Sequence, residues 1–519
     1  MSEEKNSSNQ KEGLEQGTYE IIRNRLNKHG DELRENLSLL NASRKEVFGA
    51  IETTLLTTER VTTENKCVPS DMFAVGDHFI FGYNVHIGLK TITKLSDVFS
   101  IYNYKDHGFH QEDYTLLNDE KFQSDFDDVY KYYKNTQFAK FVEIGPYLYM
   151  VFKVGKGEND CKVFKWKVAD ERITYVDNRS DHEVISPNEY EFIWKRTVRE
   201  MYRDGLHPHI SIEDQIFVEA VGGDLTIKVE DNTADGKGIY NEPVDYPDQT
   251  LDDAEIFYAI VGNMIFLKIK PYKEDKFRYI IYNNKVQEAL RIDAIENSCV
   301  LLPDDHGVIF PKGYYLQTGE SKVFDLDTGA MHYQKSIASP NGEDFLYVFY
   351  NNKLGIYVLL SYNLIAQEIT TPTICHGYSF FENGELCYFK AEEEAQNHHA
   401  IQIWQTPYEG QDSSVSKTSD SFLMKIGNKD IVRAMAECFE VMNLIAQEDS
   451  YANLYVDIVK KTTAILDSYY WIDKAETHRL QEPLNHIKSS ASSAIDEFDK
   501  VGGIKKNTTE EQEKITALF

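Results

Sequence analysis

The sequence predicts a mainly β protein with α-helices at both ends: a β-propeller of about seven blades, preceded by a helical segment and followed by a helical, coiled-coil region. Between about residues 70 and 408, short runs rich in Tyr, Phe, Val and Ile alternate with turns of Gly, Asn and Asp. Such runs are typical of consecutive β-strands. They form units of roughly forty residues, which is the spacing of propeller blades. The predicted units are 70–108, 136–180, 183–231, 253–292, 295–327, 330–368 and 370–408.

The residues before the β region carry a helical pattern. Residues 1–17 are polar and charged, so we expect a disordered tail there. The segment 18–69 is predicted to be helical, because its apolar residues recur three and four positions apart and share one face. Gly30 predicts a break or kink in this segment. The apolar face consists of Ile22, Leu26, Leu33, Leu37 and Leu40.

Turn chemistry supports the division of the β region into units. Dipeptides such as Asn383-Gly384 predict tight hairpins, because both central positions of that turn need a positive φ. A ring of blades leaves few free sheet edges, which explains how so many strands avoid pairing with other molecules. The segments 112–136 and 232–252 lack a strand pattern and are predicted to be insertions.

The composition changes after residue 408. A polar linker is predicted at 409–427, and helices at 428–519. In the last of these helices, apolar residues from Leu480 to Val501 alternate spacings of four and three, which is the seam of a coiled coil. This seam can pack within the chain or join two copies, and the sequence leaves both open. A glycine pair then predicts a helix end, and the residues after it indicate the start of another helix. We therefore expect the chain to be the front part of a longer protein.

Composition narrows the class of protein and of partner. The 519 residues carry a formal net charge of −30. No apolar stretch is long enough to cross a membrane, and the polar first residues are not a signal peptide. We therefore expect a cytoplasmic protein with protein partners. Direct DNA binding is disfavoured, because so acidic a surface repels the phosphate backbone. Six cysteines without C-x-x-C spacing favour reduced thiols over disulfides or a zinc site.

The sequence lacks the common motifs of catalysis. It contains neither a G-x-x-x-x-G-K-[ST] phosphate loop nor a G-x-S-x-G nucleophile turn. His207 and His209, with Asp204 and Asp214 nearby, could hold a metal ion, but two such histidines often occur without one. The sequence therefore predicts no catalytic residue, no cofactor-binding residue and no metal ligand, and it leaves enzyme activity open.

Four segments near the first predicted strands are the most distinctive: 40–49 (LNASRKEVFG), 62–69 (TTENKCVP), 81–90 (FGYNVHIGLK) and 96–100 (SDVFS). Together they resemble the start of a family of very large bacterial proteins described as DNA repair ATPases. The resemblance runs through the propeller into the helices. It implies an ATPase module of AAA type further toward the C-terminus. This sequence ends before any Walker A or Walker B motif, so ATP and Mg²⁺ would bind only through that module.

Candidate partner-binding residues lie in two of these segments. Arg44 and Lys45 lie on a helix that leads to the first unit. Asn84 and His86 lie on the hairpin Phe81–Lys90, which is dense in Gly, Asn and aromatic residues. A structural role is the first interpretation of all four residues, and binding of a protein partner is the alternative.

The sequence favours a non-catalytic β-propeller scaffold that serves as the regulatory or substrate-recruiting N-terminal part of a large AAA-type ATPase. A rigid ring presents loops on its faces, so one face can hold a partner while the helices transmit its position. Two alternatives stay open. One is a hydrolase or lyase acting from the central funnel, and the other is a stand-alone adaptor that oligomerises through Leu480–Val501.

Overall fold

The chain is mainly β with a set of helices, as the sequence predicted. The computed structural model describes residues 2–49, 52–85, 92–157, 160–169, 171–204, 208–229, 238–408, 421–447 and 453–516, with side chains from residue 17 to residue 500 except at 221. In this part of the chain thirty strands form six antiparallel sheets. The helices are α1 (Ser2–Phe48), α2 (Glu120–Tyr132), α3 (Phe422–Ile426), α4 (Asn428–Ala446), α5 (Leu454–Ser468) and α6 (Gln481–Thr516).

Most sheets are built from strands that follow one another in sequence. The seven-stranded sheet has the order β28 (Gly377–Phe380), β29 (Glu385–Phe389), β30 (Gln396–Gln405), β1 (Thr54–Val75), β2 (His78–Val85), β3 (Phe99–Lys105) and β4 (Gly108–Glu112). The second sheet contains β5 (Gln137–Ile144), β6 (Tyr147–Lys153), β7 (Cys161–Ala169) and β8 (Arg172–Asp177). The third contains β10 (Tyr202–Arg203), β11 (His209–Ile212), β12 (Ile216–Val221), β13 (Asp224–Lys228) and β14 (Tyr240–Pro243).

The remaining three sheets complete the β region. The fourth contains β9 (Lys195–Arg196), β15 (Glu255–Val261), β16 (Met264–Lys270), β17 (Arg278–Asn283) and β18 (Glu288–Arg291). The fifth contains β19 (Val300–Leu301), β20 (Gly307–Phe310), β21 (Gly313–Leu316) and β22 (Ser321–Val323). The sixth contains β23 (His332–Ala338), β24 (Asp344–Asn351), β25 (Ile356–Asn363), β26 (Glu368–Ile369) and β27 (Thr373–Cys375).

The long strand β1 joins the beginning of the β region to its end. Its first part, residues 54–62, pairs antiparallel with β30, the last strand. Its second part, residues 67–75, pairs with β2 and starts the first meander. One strand therefore belongs to two groups of four, β28-β29-β30-β1 and β1-β2-β3-β4. Consecutive meanders that are closed by a strand from the opposite end of the chain are the organisation of a β-propeller.

Strand β1 shows that the prediction of a helix throughout 18–69 was wrong. Helix α1 ends at Phe48, and Gly49 follows with a φ of 80°, the left-handed conformation that commonly ends helices. Strand β1 begins soon afterwards, at Thr54. Thr and Val make up most of its first ten residues, and their branched side chains favour extended backbone. Pairing with β30 then fixes this segment as strand.

Helix α1 also differs from the prediction near its start and at Gly30. It begins at Ser2, although residues 1–17 were predicted to be disordered. Glu, Lys and Gln are frequent in that stretch and favour a helical backbone. The helix continues through Gly30 without the predicted break. This buried glycine lies against α4, where an added Cβ atom would be 3.4 Å from Cδ1 of Ile445, so its small size permits close packing.

The two predicted insertions contain regular structure. Helix α2 lies within 112–136, and its N-cap residue Asp119 accepts a hydrogen bond of 2.9 Å from the backbone N–H of Phe122. It packs aromatic side chains onto the sheet β5–β8. Strand β14 lies within 232–252, although no strand was predicted there. Its sequence, Tyr-Asn-Glu-Pro, has no apolar alternation, and its pairing with β13 makes it a strand.

The helices α1, α3, α4, α5 and α6 share one apolar core, and this core accounts for their apolar patterns in the sequence. The predicted face of α1 is confirmed, since all five of its residues are buried in this core. Five residues of the predicted seam are buried in it too, namely Leu480, which precedes α6, and Leu484, Ile487, Ala491 and Ala494 of α6, whereas Phe498 is exposed. The chain's own helices thus cover this face, and joining of two copies through Leu480–Val501 stays a prediction.

The C-terminal helices begin within the predicted linker. Of the linker 409–427, residues 409–420 lie outside the described residues, and α3 begins at Phe422. Helix α6 runs through the glycine pair at which the sequence predicted a helix end. Among the described residues no helix is both long and apolar enough to span a bilayer.

Close packing at the strand β28 gives a test of the fold. A Cβ atom added at Gly377 would lie 2.4 Å from Cε1 of buried Phe389 and 2.9 Å from the Cα atom of Asp71 on β1. We expect Gly377→Ala to lower the free energy of unfolding by about 1–3 kcal/mol, as overpacked cores do. Urea unfolding measures this loss. Gly17→Ala is the matched control, because no atom lies within 4 Å of its added Cβ. Equal stability of the two variants would contradict the packing described here.

Candidate functional site

The first strands of several meanders surround a cavity of about 400 Å³. Residues of β1, β5, β23 and β28 line it, together with the segment 184–187. In a propeller the strands at the start of each blade surround a central channel. The cavity is therefore the candidate site, because central channels of rigid rings can collect side chains from several blades at one place.

A connecting segment fills another part of the space between first strands. Strand β9 pairs with β15, and Tyr190 forms a parallel bridge with Cys299, next to β19. The carbonyl of Glu189 accepts a hydrogen bond of 2.8 Å from the N–H of Cys299. Its carboxylate Oε1 lies 2.8 Å from Nδ1 of His332 on β23. The segment 189–196 therefore lies along β15, β19 and β23, and the cavity opens beside β1, β5 and β28.

Asp71 is the most buried carboxyl in the cavity wall, with 2 % of its surface exposed. It follows a β-bulge in β1, where the pairing with β2 shifts by one residue, and bulges re-aim side chains in this way. Its Oδ1 accepts the N–H of Met72 at 2.9 Å. Its Oδ2 accepts the N–H of Phe141 at 2.8 Å and the hydroxyl of Tyr357 at 3.1 Å. One carboxyl thus connects β1, β5 and β25.

Burial changes the acidity of Asp71. It raises the pKa of this carboxyl to about 7, although the hydrogen bonds from Phe141, Met72 and Tyr357 act in the opposite direction. Burial also raises the pKa of the Tyr357 hydroxyl well above its usual value. Tyr357 therefore stays protonated and can donate its hydrogen bond, while Asp71 can gain or lose a proton near neutral pH.

Lys140 also lines the cavity and has an altered pKa. It follows a second bulge, in β5, where the pairing with β6 shifts between Phe138 and Lys140. Burial lowers the pKa of its ammonium group to about 8, and the charge of Asp71 opposes this change. The ammonium nitrogen lies 4.3 Å from the ring centroid of Tyr350, a distance suited to a cation–π contact.

The cavity wall therefore holds two groups whose pKa values lie at about 7 and about 8. Asp71 and Lys140 are an acid and a base whose pKa values burial moves toward each other, a pattern that occurs at catalytic sites and in structural networks. Two of the three hydrogen bonds to Asp71, those from Phe141 and Tyr357, connect β1 to other sheets and favour a structural role. Sequence reasoning missed both residues. The signal was an acidic and a basic residue inside apolar strand sequences, Pro-Ser-Asp-Met-Phe and Phe-Ala-Lys-Phe.

Of the residues predicted on the hairpin, Asn84 is described and His86 lies outside the described residues. Asn84 lies on β2, and its Nδ2 donates to Oγ of Ser70 at 2.9 Å and to the carbonyl of Phe138 at 2.8 Å. Its Oδ1 accepts the N–H of Phe138 at 2.9 Å. These bonds join the first and second sheets, beside the bulges that place Asp71 and Lys140. Partner binding by Asn84 and His86 stays a prediction.

Arg44 lies at the joint between the helices and the sheets, with 2 % of its surface exposed. Its Nη2 forms an ion pair of 2.6 Å with Oε2 of Glu343, in the turn before β24. Its Nη1 donates to Oδ1 of Asn428 at 3.2 Å, and its Nε donates to Oδ1 of Asn41 at 3.0 Å. Lys45 points elsewhere, and its ammonium lies 3.5 Å from the exposed Glu52 carboxylate. Partner binding by either residue stays a prediction.

A second polar contact in the same joint was not predicted. Nε2 of buried His306 lies 2.8 Å from Oε1 of Glu440 on α4, and its Nδ1 lies 2.7 Å from the hydroxyl of Tyr362. The other carboxylate oxygen of Glu440 contacts the ammonium of Lys461 on α5. Burial lowers the pKa of His306 to about 4, so the ring is neutral at pH 7 and accepts from Tyr362 while it donates to Glu440. Nothing in the local sequence of His306 indicates this contact.

Comparison with known proteins identifies a family. The sequence model of a family described as "ATPase involved in DNA repair" matches residues 32–470. No curated protein matches the sequence. Among solved structures, a chain of the mitotic checkpoint complex is 8 % identical with a TM-score of 0.24, covering 69 % of this chain and 93 % of that one.

Two further structures show the same level of likeness. Virginiamycin B lyase from Staphylococcus aureus is 12 % identical with a TM-score of 0.23, covering 68 % of this chain and 100 % of that one. The Dos1 propeller is 6 % identical with a TM-score of 0.19, covering 68 % of this chain and 97 % of that one. At these TM-scores the three structures carry no inference about function.

Titration of Asp71 gives a stability test of the cavity. Its pKa is raised in the folded chain, so the group stabilises the fold at low pH and this contribution is lost as pH rises from about 4 to about 7. Asp71→Asn removes the titration. We expect the stability of the wild type relative to this variant to fall by up to roughly 4 kcal/mol over that range. Unfolding midpoints at several pH values measure it. The exposed Asp275→Asn is the control, and a pH-independent difference for Asp71→Asn would contradict the assignment.

The ion pair of Arg44 gives a test of the joint. Removing one member of a buried ion pair leaves the other charge buried and costs about 3–5 kcal/mol. We expect Arg44→Ala to destabilise the chain by this amount in urea unfolding. Arg34→Ala is the matched control on the same helix, since the ion pair of Arg34 with Asp31 is exposed and is expected to be worth less than about 1 kcal/mol. Similar losses in both variants would mean that the joint does not depend on Arg44.

Proposed function

Given that the chain belongs to the family described as "ATPase involved in DNA repair", we propose that it is a non-catalytic scaffold, the regulatory or substrate-recruiting part of a large AAA-type ATPase. We infer seven blades, counting separately the two groups of four strands that share β1. Its partners would be proteins in the cytoplasm. ATP and Mg²⁺ would bind to a module outside this chain.

The observation that carries this proposal is the buried polar joint between the sheets and the helical core. Arg44 with Glu343 and His306 with Glu440 connect loops of the fifth and sixth sheets to α1 and α4. Val432 and Ala436 of α4 are buried in the apolar core of those same sheets. A joint of this kind holds the two parts in one orientation. A partner bound to the sheets would therefore be held at a fixed position relative to the helices.

Exposed apolar side chains on the connecting segment 184–198 suggest where a partner binds. Ile185 lines the cavity, and 77 % of it is exposed. Ile193 and Val198 follow on the same connecting segment and are 80 % and 53 % exposed. These three exposed apolar residues lie within fourteen positions of one connecting segment, and exposed apolar surface can mark an interaction site. We propose the segment 184–198 as the contact surface for a recruited protein.

The charge of the chain constrains that partner. A net charge of −30 attracts basic proteins and repels nucleic acid at long range. The recruited protein would therefore present basic residues around an apolar contact. The link to DNA repair would then pass through proteins that act on DNA, with no contact between this chain and the duplex.

A catalytic function is the second candidate, because Asp71 and Lys140 line a cavity with pKa values near neutrality. Such a pair can act as general acid and general base in a hydrolase or lyase. The hydrogen bonds from Met72, Phe141 and Tyr357 already satisfy Asp71, which favours the scaffold. Turnover of a small substrate that Asp71→Asn abolishes without loss of folding would reverse this preference.

The test of the scaffold uses the native protein and matched surface variants. An antibody against the β region isolates the native species, and its ATP hydrolysis is measured. In parallel, proteins retained by the purified chain are quantified by mass spectrometry. We expect ATP hydrolysis by the native species, and at least a tenfold loss of retained basic proteins for the double variant Ile185→Glu with Ile193→Glu.

Ile92→Glu is the control for this experiment, because Ile92 is 72 % exposed and lies on the first meander. It should retain the same proteins as the wild type. A native species without ATP hydrolysis would exclude the ATPase part of the proposal. Unchanged retention by the double variant would exclude the segment 184–198 as the contact surface.

A further inference from the structure

Three potential metal ligands meet between the first and the last helix. His29 and Glu32 lie one turn apart on α1, and His486 lies opposite them on α6. One ligand atom of each residue lies within 4.8 Å of the other two. The two imidazole rings are 4.7 Å apart between centroids, with an interplanar angle of 40°. The cluster lies between two helices of the helical core, whereas the residues that line the cavity belong to the β region.

The apolar core fixes the positions of these residues. On α1 the buried Leu26 and Leu33 lie on either side of His29 in the sequence, and on α6 the buried Leu484 and Ile487 lie on either side of His486. The side chain of His29 is 19 % exposed, while His486 is exposed. The backbone of the three residues is thus held by packing that does not involve them. Supporting packing of this kind orients a binding site before its ligand arrives.

Two residues of the cluster, His29 and Glu32, form a hydrogen bond with each other. Nδ1 of His29 lies 3.0 Å from Oε2 of Glu32, and this hydrogen bond lowers the pKa of the Glu32 carboxyl. The spacing of three positions on one helix explains why His29 and Glu32 are in contact. It does not explain why the imidazole of His486, on the facing helix, lies beside them. Two histidines and a carboxylate are a ligand set that zinc enzymes use, with water at the fourth position.

We propose that His29, Glu32 and His486 bind one divalent transition-metal ion of the Zn²⁺ class and thereby fasten α1 to α6. Ligand atoms around tetrahedral Zn²⁺ lie about 3.4 Å apart, given metal–ligand bonds of about 2.0–2.2 Å. The exposed side chain of His486 can close the remaining distance by a change of rotamer. Imidazole nitrogens favour Zn²⁺, Co²⁺ or Ni²⁺ over Mg²⁺ and Ca²⁺, which prefer oxygen ligands.

The position of this site gives the metal a structural consequence. Ring contacts between Tyr19 on α1 and Phe498 on α6, with centroids 5.3 Å apart, show that the two helices remain together over several further turns. An ion at the cluster would add a link between them without altering the apolar core. Metal binding would therefore stabilise the helical core, because the ion would bind the folded arrangement of its ligands and not the unfolded chain.

The test is a titration of the metal-free, full-length chain with Co²⁺, followed by displacement with Zn²⁺. We expect visible absorption typical of tetrahedral Co²⁺, a stoichiometry of one ion per chain, and a rise in the unfolding midpoint with Zn²⁺. His486→Ala and Glu32→Gln should each weaken Co²⁺ binding at least tenfold and remove the rise in the midpoint.

Two controls separate a built site from binding by surface histidines. His182→Ala removes an exposed histidine outside the cluster and should leave the titration unchanged. The unfolding midpoint without metal should be the same for His486→Ala and the wild type, which shows that the variant folds. Absence of stoichiometric binding, or wild-type affinity in His486→Ala, would overturn the proposal.

Discussion

The double pairing of β1 is the constraint on which the rest of the structure depends. Its first part completes the last group of strands and its second part begins the first group, so a single backbone closes the β region. Without it, β30 and β2 would each present an unpaired edge, and free edges promote pairing with other chains. The bulge that precedes Asp71 lies in the same strand. Closure of the ring and placement of the cavity's buried carboxyl are therefore consequences of one segment.

Forming the polar joint between sheets and helices has a desolvation cost that apolar packing would not have. Desolvating Arg44 and Glu343 is expensive, and a buried ion pair adds little net stability compared with apolar residues of similar size. The advantage of this ion pair is that its hydrogen bonds require a defined orientation of the two parts. A guanidinium that contacts Asn41, Asn428 and Glu343 at once fits only one arrangement of α1, α4 and the turn before β24. The neutral ring of His306 defines the arrangement at a second point, between Tyr362 and Glu440. Two such contacts favour a scaffold whose parts keep their orientation.

Sequence patterns predicted the class of fold and most element positions, because both follow from local chemistry. The alternating apolar runs predicted the strands, and the faces of α1 and α6 followed from spacings of three and four. The strands that were not predicted are those that depend on pairing partners elsewhere in the sequence. Strand β14 exists through its pairing with β13, and the first part of β1 exists as a strand through its pairing with β30.

The candidate sites were missed for the same reason. Asp71 and Lys140 meet because bulges in two different sheets aim them at one cavity. His29 and His486 are more than 400 positions apart in the sequence, and only the helical core brings them together. A search for motifs examines neighbouring positions, whereas these sites are assembled from positions whose proximity is a product of the complete fold.

The N-terminal segment closes both parts of the molecule. Helix α1 completes the helical core against α6, and β1 completes the ring against β30, with only residues 49–53 between the two elements. Contacts such as Thr54 with Gln405 join positions about 350 residues apart, and contacts of this range form late and slowly. Both closures therefore depend on long-range contacts of the same N-terminal segment.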